Sequence, residues 1–262
     1  MQPRLVMPSQ PARWALFVGI DGCLVDFDAA PERVTIAAPL RLLLDDLRVA
    51  LGGALALLSG RPLGQIDRMF APQRFCAAGQ HGLERRSADS RRHGAPVPRA
   101  SAVARLREEI GRLRERLPKV VIEDKGSSVA LHFRAAPEIG AAVTAAAEQV
   151  AARLGGAYEV QAGALVRELK PVACSQGTAL RAFCAEAPFA GRMPVFVGEA
   201  SSDSAFDAVN RAGGLSIAVG AHGQTAARYT LATPRDARAW LSRVLDVAAG
   251  GELRIAQRAA AG

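Results

Sequence analysis

Aromatic residues are scarce in this 262-residue chain, at 5% of the total, and they are not interleaved with its basic stretches. That disfavours a single-strand nucleic-acid surface, which stacks bases on rings set in a basic groove. Cysteine is also sparse: Cys23, Cys76, Cys174 and Cys184 stand far apart with no C-x-x-C spacing. This argues against a zinc knuckle or a dithiol redox pair, and reduced, buried thiols are expected. Long apolar runs are missing too. Stretches such as Ala54 to Leu58 and Val195 to Val197 fall far short of the roughly 20 residues that cross a bilayer. Before Trp14 there are prolines but no apolar run of signal-peptide length, so a cytoplasmic protein without a membrane span is expected.

What the chain does have is 50% apolar residues and enough length for one large domain or a core with a smaller insert. It also carries a net charge of +8, and residues 85–134 hold thirteen Lys/Arg against six Asp/Glu, which is +7 of that excess. Such a stripe can draw an anionic substrate or nucleic acid. Within it, "RLREEIGRLRERL" places Leu106, Ile110, Leu113 and Leu117 at helical spacing with charges elsewhere. That is the pattern of an amphipathic helix with a solvated face, and nucleic acid is a disfavoured partner.

Strands and helices alternate at both ends of the chain. Trp14 to Ile20, Ala54 to Leu58 and Phe75 to Ala78 read as buried strands, with an amphipathic helix over Pro39 to Leu51. Pro194 to Gly198, a helix through Ala205 to Arg211, and Leu215 to Gly220 repeat the pattern. Thr233 and Pro234 then mark the start of a last helix through Ala237 to Val247. Continuous apolar strands alternating with amphipathic helices imply α/β architecture, a parallel sheet covered on both faces.

The middle of the chain differs. A Ser, Arg, Gly and Pro-rich link, Ser87 to Ser101, leads into the basic helix; "KVVIEDKGSSVALHFR" then predicts two short strands about a turn at Gly126 and Ser127. An Ala-rich helix over Pro137 to Leu154 and strand-like "AYEVQ" and "ALVREL" complete an inserted α+β unit. The closing "GGELRIAQRAAAG" has no clear packing pattern and is expected to be a loose tail over 249–262.

In an open parallel sheet, ligands bind beyond the carboxyl ends of the strands. Asp21 follows the first strand, Ser59, Gly60 and Arg61 the second, Lys170 follows "VREL", and Glu199 and Asp203 follow "PVFVG". Together they suggest a phosphate and metal site, although each alone also reads as an ordinary turn, a solvated lysine or a helix cap.

Taken in order over about residues 14–245, these segments resemble the haloacid-dehalogenase phosphohydrolases and, within them, the trehalose-6-phosphate phosphatases. "VGIDGCL" (Val18 to Leu24) stands where the family has "LDFDGTL", and "SGRP" (Ser59 to Pro62) matches its second motif. "GQHGLERR" (Gly79 to Arg86) matches "GxHGxERR", and "EDKG" with "ALHFR" (Glu123 to Arg134) is similar to its cap strand pair. "RELKP" with "SQGTALRAF" resembles the third motif, and "VGEASSDSAF" the fourth, usually written "VGDDxTDExxF".

The resemblance implies a Rossmann-like core with a parallel sheet at 13–86 and 168–248, and an α+β cap inserted at 87–167. It implies Mg²⁺-dependent conversion of trehalose 6-phosphate to trehalose and phosphate, through an aspartyl-phosphate on the first aspartate of the first motif. Carried over residue by residue, Asp21 is the general acid and base, and Ser59 and Lys170 hold the phosphoryl oxygens. Asp21, Glu199 and Asp203 are what remains for the metal. Arg61, Gln80, His81, Gly82, Glu123, Lys125 and Glu168 fall in the segments expected to bind the phosphosugar.

The nucleophile position is occupied by Gly19. Glycine has no side chain, so the covalent route is closed, and Asp26 and Asp28 lie past the turn, where the family already has polar residues. Ala200 removes a second carboxylate, Gln176 stands where the family usually has Lys, Cys23 replaces a threonine and Ser204 an acid. Mg²⁺ needs well-placed carboxylates in near-octahedral geometry, so a weakened or absent metal site follows. Three readings stay open: a trehalose-phosphatase that is impaired or very slow, a phosphosugar-binding or regulatory pseudophosphatase with no turnover, and a basic interaction module.

Overall fold

The structure, a computed structural model, describes residues 11–26, 34–95, 98–163, 165–220 and 224–259. In the first part of the core, β1 (Trp14–Gly19) is followed by α1 (Ala38–Ala50), β2 (Leu55–Leu58), α2 (Leu63–Phe70) and β3 (Cys76–Gly79). The hairpin strands β4 (Glu84–Arg86) and β5 (Arg92–Gly94) close that half. The insert holds α3 (Ala100–Arg116), β6 (Val121–Asp124), β7 (Val129–His132), α4 (Gly140–Arg153), β8 (Tyr158–Gly163) and β9 (Val166–Pro171). The chain returns to the core with α5 (Gln176–Cys184), β10 (Met193–Glu199), α6 (Asp203–Arg211), β11 (Leu215–Val219), β12 (Tyr229–Leu231) and α7 (Pro234–Ala259).

The core sheet runs in the order β12-β11-β10-β1-β2-β3-β4-β5, parallel from β12 to β3 and antiparallel at the β4–β5 edge. Strand β1 lies near its centre and is buried at every position. Because side chains alternate across a strand, Trp14, Leu16 and Val18 enter one apolar layer with α1, α2 and α7. Ala15 and Phe17 enter the other, with α5 and α6. This two-sided burial is why the strand reads as an unbroken apolar run.

The insert is a four-stranded antiparallel sheet, ordered β6-β7-β9-β8. One face packs on α3 and α4 through Leu106, Ile110, Val129, Leu131, Val143 and Leu169; the other is turned to the core. The domain limits shift from those expected at 87 and 167. Residues 92–94 pair with β4 and belong to the core sheet, while β9 belongs wholly to the cap and carries Glu168 and Lys170 with it. The final helix begins with a capping box, Thr233 Oγ1 accepting from Asp236 N and Asp236 accepting from Thr233 N. It runs on to Ala259, so the backbone is helical where a loose tail was expected, and only 260–262 of that stretch lie outside the described residues. Among the described residues, no helix is long and apolar enough to cross a membrane.

The basic segment divides into two populations. Arg86 is buried and donates to Phe75 O and Asp67, and Arg85 pairs with Glu186 while lying 4.9 Å from the centre of the Phe183 ring. Arg105, Arg107, Arg112, Arg114 and Arg116 are exposed on the outer face of α3, where Arg107 meets Asp124 and Arg112 meets Glu109.

Candidate active site

The cleft lies where the carboxyl ends of β1, β2 and β10 face the bare side of the cap sheet. Gly19, Asp21, Ser59, Arg61 and Glu199 line it from the core, and Glu123, Lys125, His132, Gln161 and Glu168 from the cap. On the core side, β1 stops at Gly19 and the chain turns at once: Leu24 N donates to Ile20 O, Gly22 N to Val25 O, and Gly22 adopts φ +67°. A left-handed residue is accessible to glycine without a Cβ penalty, and this turn swings Asp21 over the strand end.

Both Asp21 carboxylate oxygens are taken by Arg61: Nε donates to Oδ2 at 2.7 Å and Nη2 to Oδ1 at 2.6 Å. Such a bidentate pair fixes both groups. Ser59 Oγ, buried at the end of β2, accepts from Arg61 N at 3.0 Å. Glu199 ends β10 and accepts from Ser201 N and the Ser201 hydroxyl, both neutral donors. A Cβ on Gly19 would lie 3.2 Å from Gly198 Cα and 3.3 Å from Cys23 Cβ, so a side chain at this position would be tightly packed. The Cys23 thiol donates to Val197 O at 3.3 Å, and burial pushes its pKa up to about 12. It is therefore a packed thiol without thiolate character.

The cap side is built by strand parity. On β9, Leu169 enters the cap core while Glu168 and Lys170 turn the other way. On β7, Val129 and Leu131 go inward while Ala130 and His132 face the cleft; Glu123, opposite Ala130, joins them. Glu168 is the hub of this wall. It receives Lys125 Nζ at 2.9 Å and Ser128 Oγ at 3.1 Å, and it pairs with His81 Nε2 at 2.9 Å. Lys125 also donates to Gly60 O at 2.9 Å, which ties the cap hairpin to the core. Burial favours a protonated Glu168, but the charges of His81 and Lys125 outweigh it and hold the carboxyl well below its ordinary range. The hydrogen bond from His132, 3.0 Å away, lowers Glu123 in the same way.

Several residues expected at the site stand elsewhere. Lys170 is 1% exposed, but its ammonium donates to Glu159 and to Cys174 O and lines only a small side pocket shared with His81 and Gln176. Its partner Glu159 sits directly across from it on β8. Asp203 caps a loop instead, accepting from Ala226 N at 3.1 Å. Gln80 and Gly82 lie outside the cleft wall and buttress His81. Gln80 bridges Glu84 and Ser128, while Gly82 adopts φ +98° with Ser175 O where a Cβ would go, 2.5 Å away. Gln80 and His81 themselves have positive φ, 46° and 54°, strained values that hold the imidazole against Glu168. Asp26 is exposed outside the cleft wall, and Asp28 lies outside the described residues. His132, Arg134, Gln161, Ser201 and Ser202 line the cleft without having been singled out. The alternation within "VALHFR" was the available signal for His132.

The acids present do not fit the Mg²⁺ that the family implies. Asp21 is occupied by a guanidinium, Asp203 points away, and Gly19 and Ala200 offer no oxygen in their side chains. Among the described residues, no three His, Cys, Asp or Glu side chains gather where one ion would bind them.

Comparison with known proteins agrees with the fold and motifs. The trehalose-phosphatase family model matches residues 17–235. A probable trehalose-phosphate phosphatase of Sinorhizobium fredii is 41% identical over 79% of this chain and 78% of its own length. The trehalose-6-phosphate phosphatase of Escherichia coli is 36% identical over 93% of this chain and 91% of its own. The C-terminal domain of the C. albicans trehalose-6-phosphate phosphatase superposes with a TM-score of 0.79 over 90% of this chain and 93% of that one, at 16% identity, a likeness of fold. The chain belongs to the trehalose-phosphatase family.

Proposed function

We propose that this protein holds the phosphosugar of its family, of the trehalose 6-phosphate kind, but hydrolyses it very slowly or not at all and without dependence on Mg²⁺. The observation that carries this reading is Gly19 at the end of β1, in the place of the attacking carboxylate, closely lined by Gly198 and Cys23. No phosphoenzyme can form there. Asp21 still stands beside the gap, but the two Arg61 donors on its oxygens oppose its use as a base.

Recognition has fared differently. Glu123 and Glu168 accept hydrogen bonds and Lys125 donates them, which suits the hydroxyls of a sugar. These groups are already paired, Lys125 with Glu168 and His132 with Glu123 within the cap and His81 with Glu168 from the core, so a ligand exchanges existing partners for its own. Ser59 and Arg61 remain at the phosphoryl end; Lys170 drops out, held by Glu159.

A phosphate-release assay on trehalose 6-phosphate with Mg²⁺ tests the reading. Release should be slower than that of an intact relative by about a thousandfold or more, since losing a nucleophile leaves only positioning and electrostatics. Calorimetry in EDTA should still register the ligand. Turnover close to an intact relative, or no binding at millimolar ligand, overturns the proposal.

A further inference from the structure

At the core end of the cleft the cations Arg61 and Lys170 are matched by acids. Arg61 is matched by Asp21, and Lys170 is matched by Glu159 outside the main cleft. Position 176, where a lysine would be expected, carries a neutral amide. Glu199 remains, accepting from the N–H and hydroxyl of Ser201. A phosphate dianion placed here meets a carboxylate with no unmatched cation from those three positions to offset it, and like charges at close range repel strongly in a partly dry site.

The hydrogen-bonding pattern points the same way. Gln176 Oε1 is buried and has no hydrogen-bond partner among the described residues, and Gln176 lines both the main cleft and the side pocket with Ser201 and Ser202. A buried acceptor left unsatisfied is costly. A phosphate dianion also only accepts, so it cannot satisfy Gln176 Oε1. An alcohol can, because a hydroxyl donates one hydrogen bond while accepting others. Glu199 and Gln176 Oε1 supply acceptors, and Ser202 and Ser59 supply hydroxyls around the same end of the cleft.

We infer that the phosphoryl end has become a hydroxyl-binding end, so that the cleft holds the neutral disaccharide at least as tightly as its 6-phosphate. This rests on the reading that the cleft keeps the sugar of its family without turning it over. The product of the family reaction would then share this cleft with the phosphosugar, with Glu123, Lys125 and Glu168 gripping one ring and the altered core end receiving the free hydroxymethyl group.

The test is calorimetry of the full chain with trehalose and, separately, trehalose 6-phosphate, in EDTA. The expected result is a dissociation constant for trehalose equal to or below that for the 6-phosphate. Binding of the 6-phosphate about tenfold tighter or more overturns this inference and leaves the proposed function standing; binding of neither sugar overturns both. Gln176→Lys supplies an independent reading, because it should move the preference toward the 6-phosphate by about tenfold, the scale of one charge-assisted hydrogen bond. An unchanged preference in that variant overturns the placement of Gln176 at the phosphoryl end.

Discussion

The two walls of the cleft have had different fates. The cap wall is dense with charge and tied to the core: Glu168, Lys125 and Ser128 of the cap form one network with His81 and Gln80 of the core. The core wall carries Gly19 and Ala200 where the family resemblance implies carboxylates, on an intact parallel sheet. Recognition and bond-breaking sit on separate bodies of the fold, so one can decay without unravelling the other. A loss in the cap network would strand a buried charge, which is costly.

The sharpest way to break this contrast is to rebuild the core wall. Gly19→Asp with Ala200→Asp, and then with Gln176→Lys added, should raise phosphate release with Mg²⁺ by about a hundredfold or more over the starting protein. Gain of activity means that the cap still presents substrate correctly. The new Cβ at position 19 meets Gly198 Cα and Cys23 Cβ at 3.2 and 3.3 Å, so the strand end must yield by a few tenths of an ångström. Silence in the triple variant, with trehalose 6-phosphate still bound, would place the fault in that closure of the strand end.

Attacking the cap wall should cost stability instead. Lys125→Ala leaves Glu168 buried with His81 as its remaining charged partner, and removing one side of a buried pair costs about 3 kcal/mol. Thermal unfolding measures it; a loss under about 0.5 kcal/mol would mean that the cap network is not a unit. Much of this contrast was legible in the sequence. The apolar strands announced the parallel sheet, and the polar residues that follow β1, β2 and β10 met at one place because parallel strands share an end. The fate of Lys170 was not legible. Its position after a strand looked like the others, but β9 pairs in the cap, and the facing residue Glu159 comes from a different strand whose register no local pattern reveals. His132 was legible in part: strand alternation turns it toward the cleft, while its pairing with Glu123 depends on the hairpin register.

The acid limb of stability gives a smaller effect with a definite sign. Glu168 is held well below its ordinary value of 4.5, and Glu123 is lowered in the same direction. A depressed carboxyl contributes stability that is fully present above that ordinary value and is lost as pH falls below it toward the folded-state value. The wild-type unfolding midpoint should therefore drop steeply below about pH 4.5, whereas Glu168→Gln, less stable at neutral pH, should show a flatter acid limb. Parallel limbs for the two proteins would show that Glu168 is not the carboxylate responsible.

The smallest effect belongs to the outer face of α3, which tests whether the basic stripe is a third functional region or only a solvated surface. Arg107, Arg112 and Arg116 are exposed there, and Arg107 and Arg112 pair with acids that are themselves within reach of solvent or of a second arginine, Arg153. Exposed pairs of this kind contribute little because water screens them. Replacing all three by Gln should change stability by no more than about 1 kcal/mol and leave sugar binding unaltered, since none of them lines the cleft. Binding to a DNA or RNA duplex that is salt-sensitive in the wild type and lost in the triple variant would instead make this face an interaction surface. The low aromatic content and the helical spacing of Leu106, Ile110 and Leu113, all buried against the cap sheet, favour the solvated face.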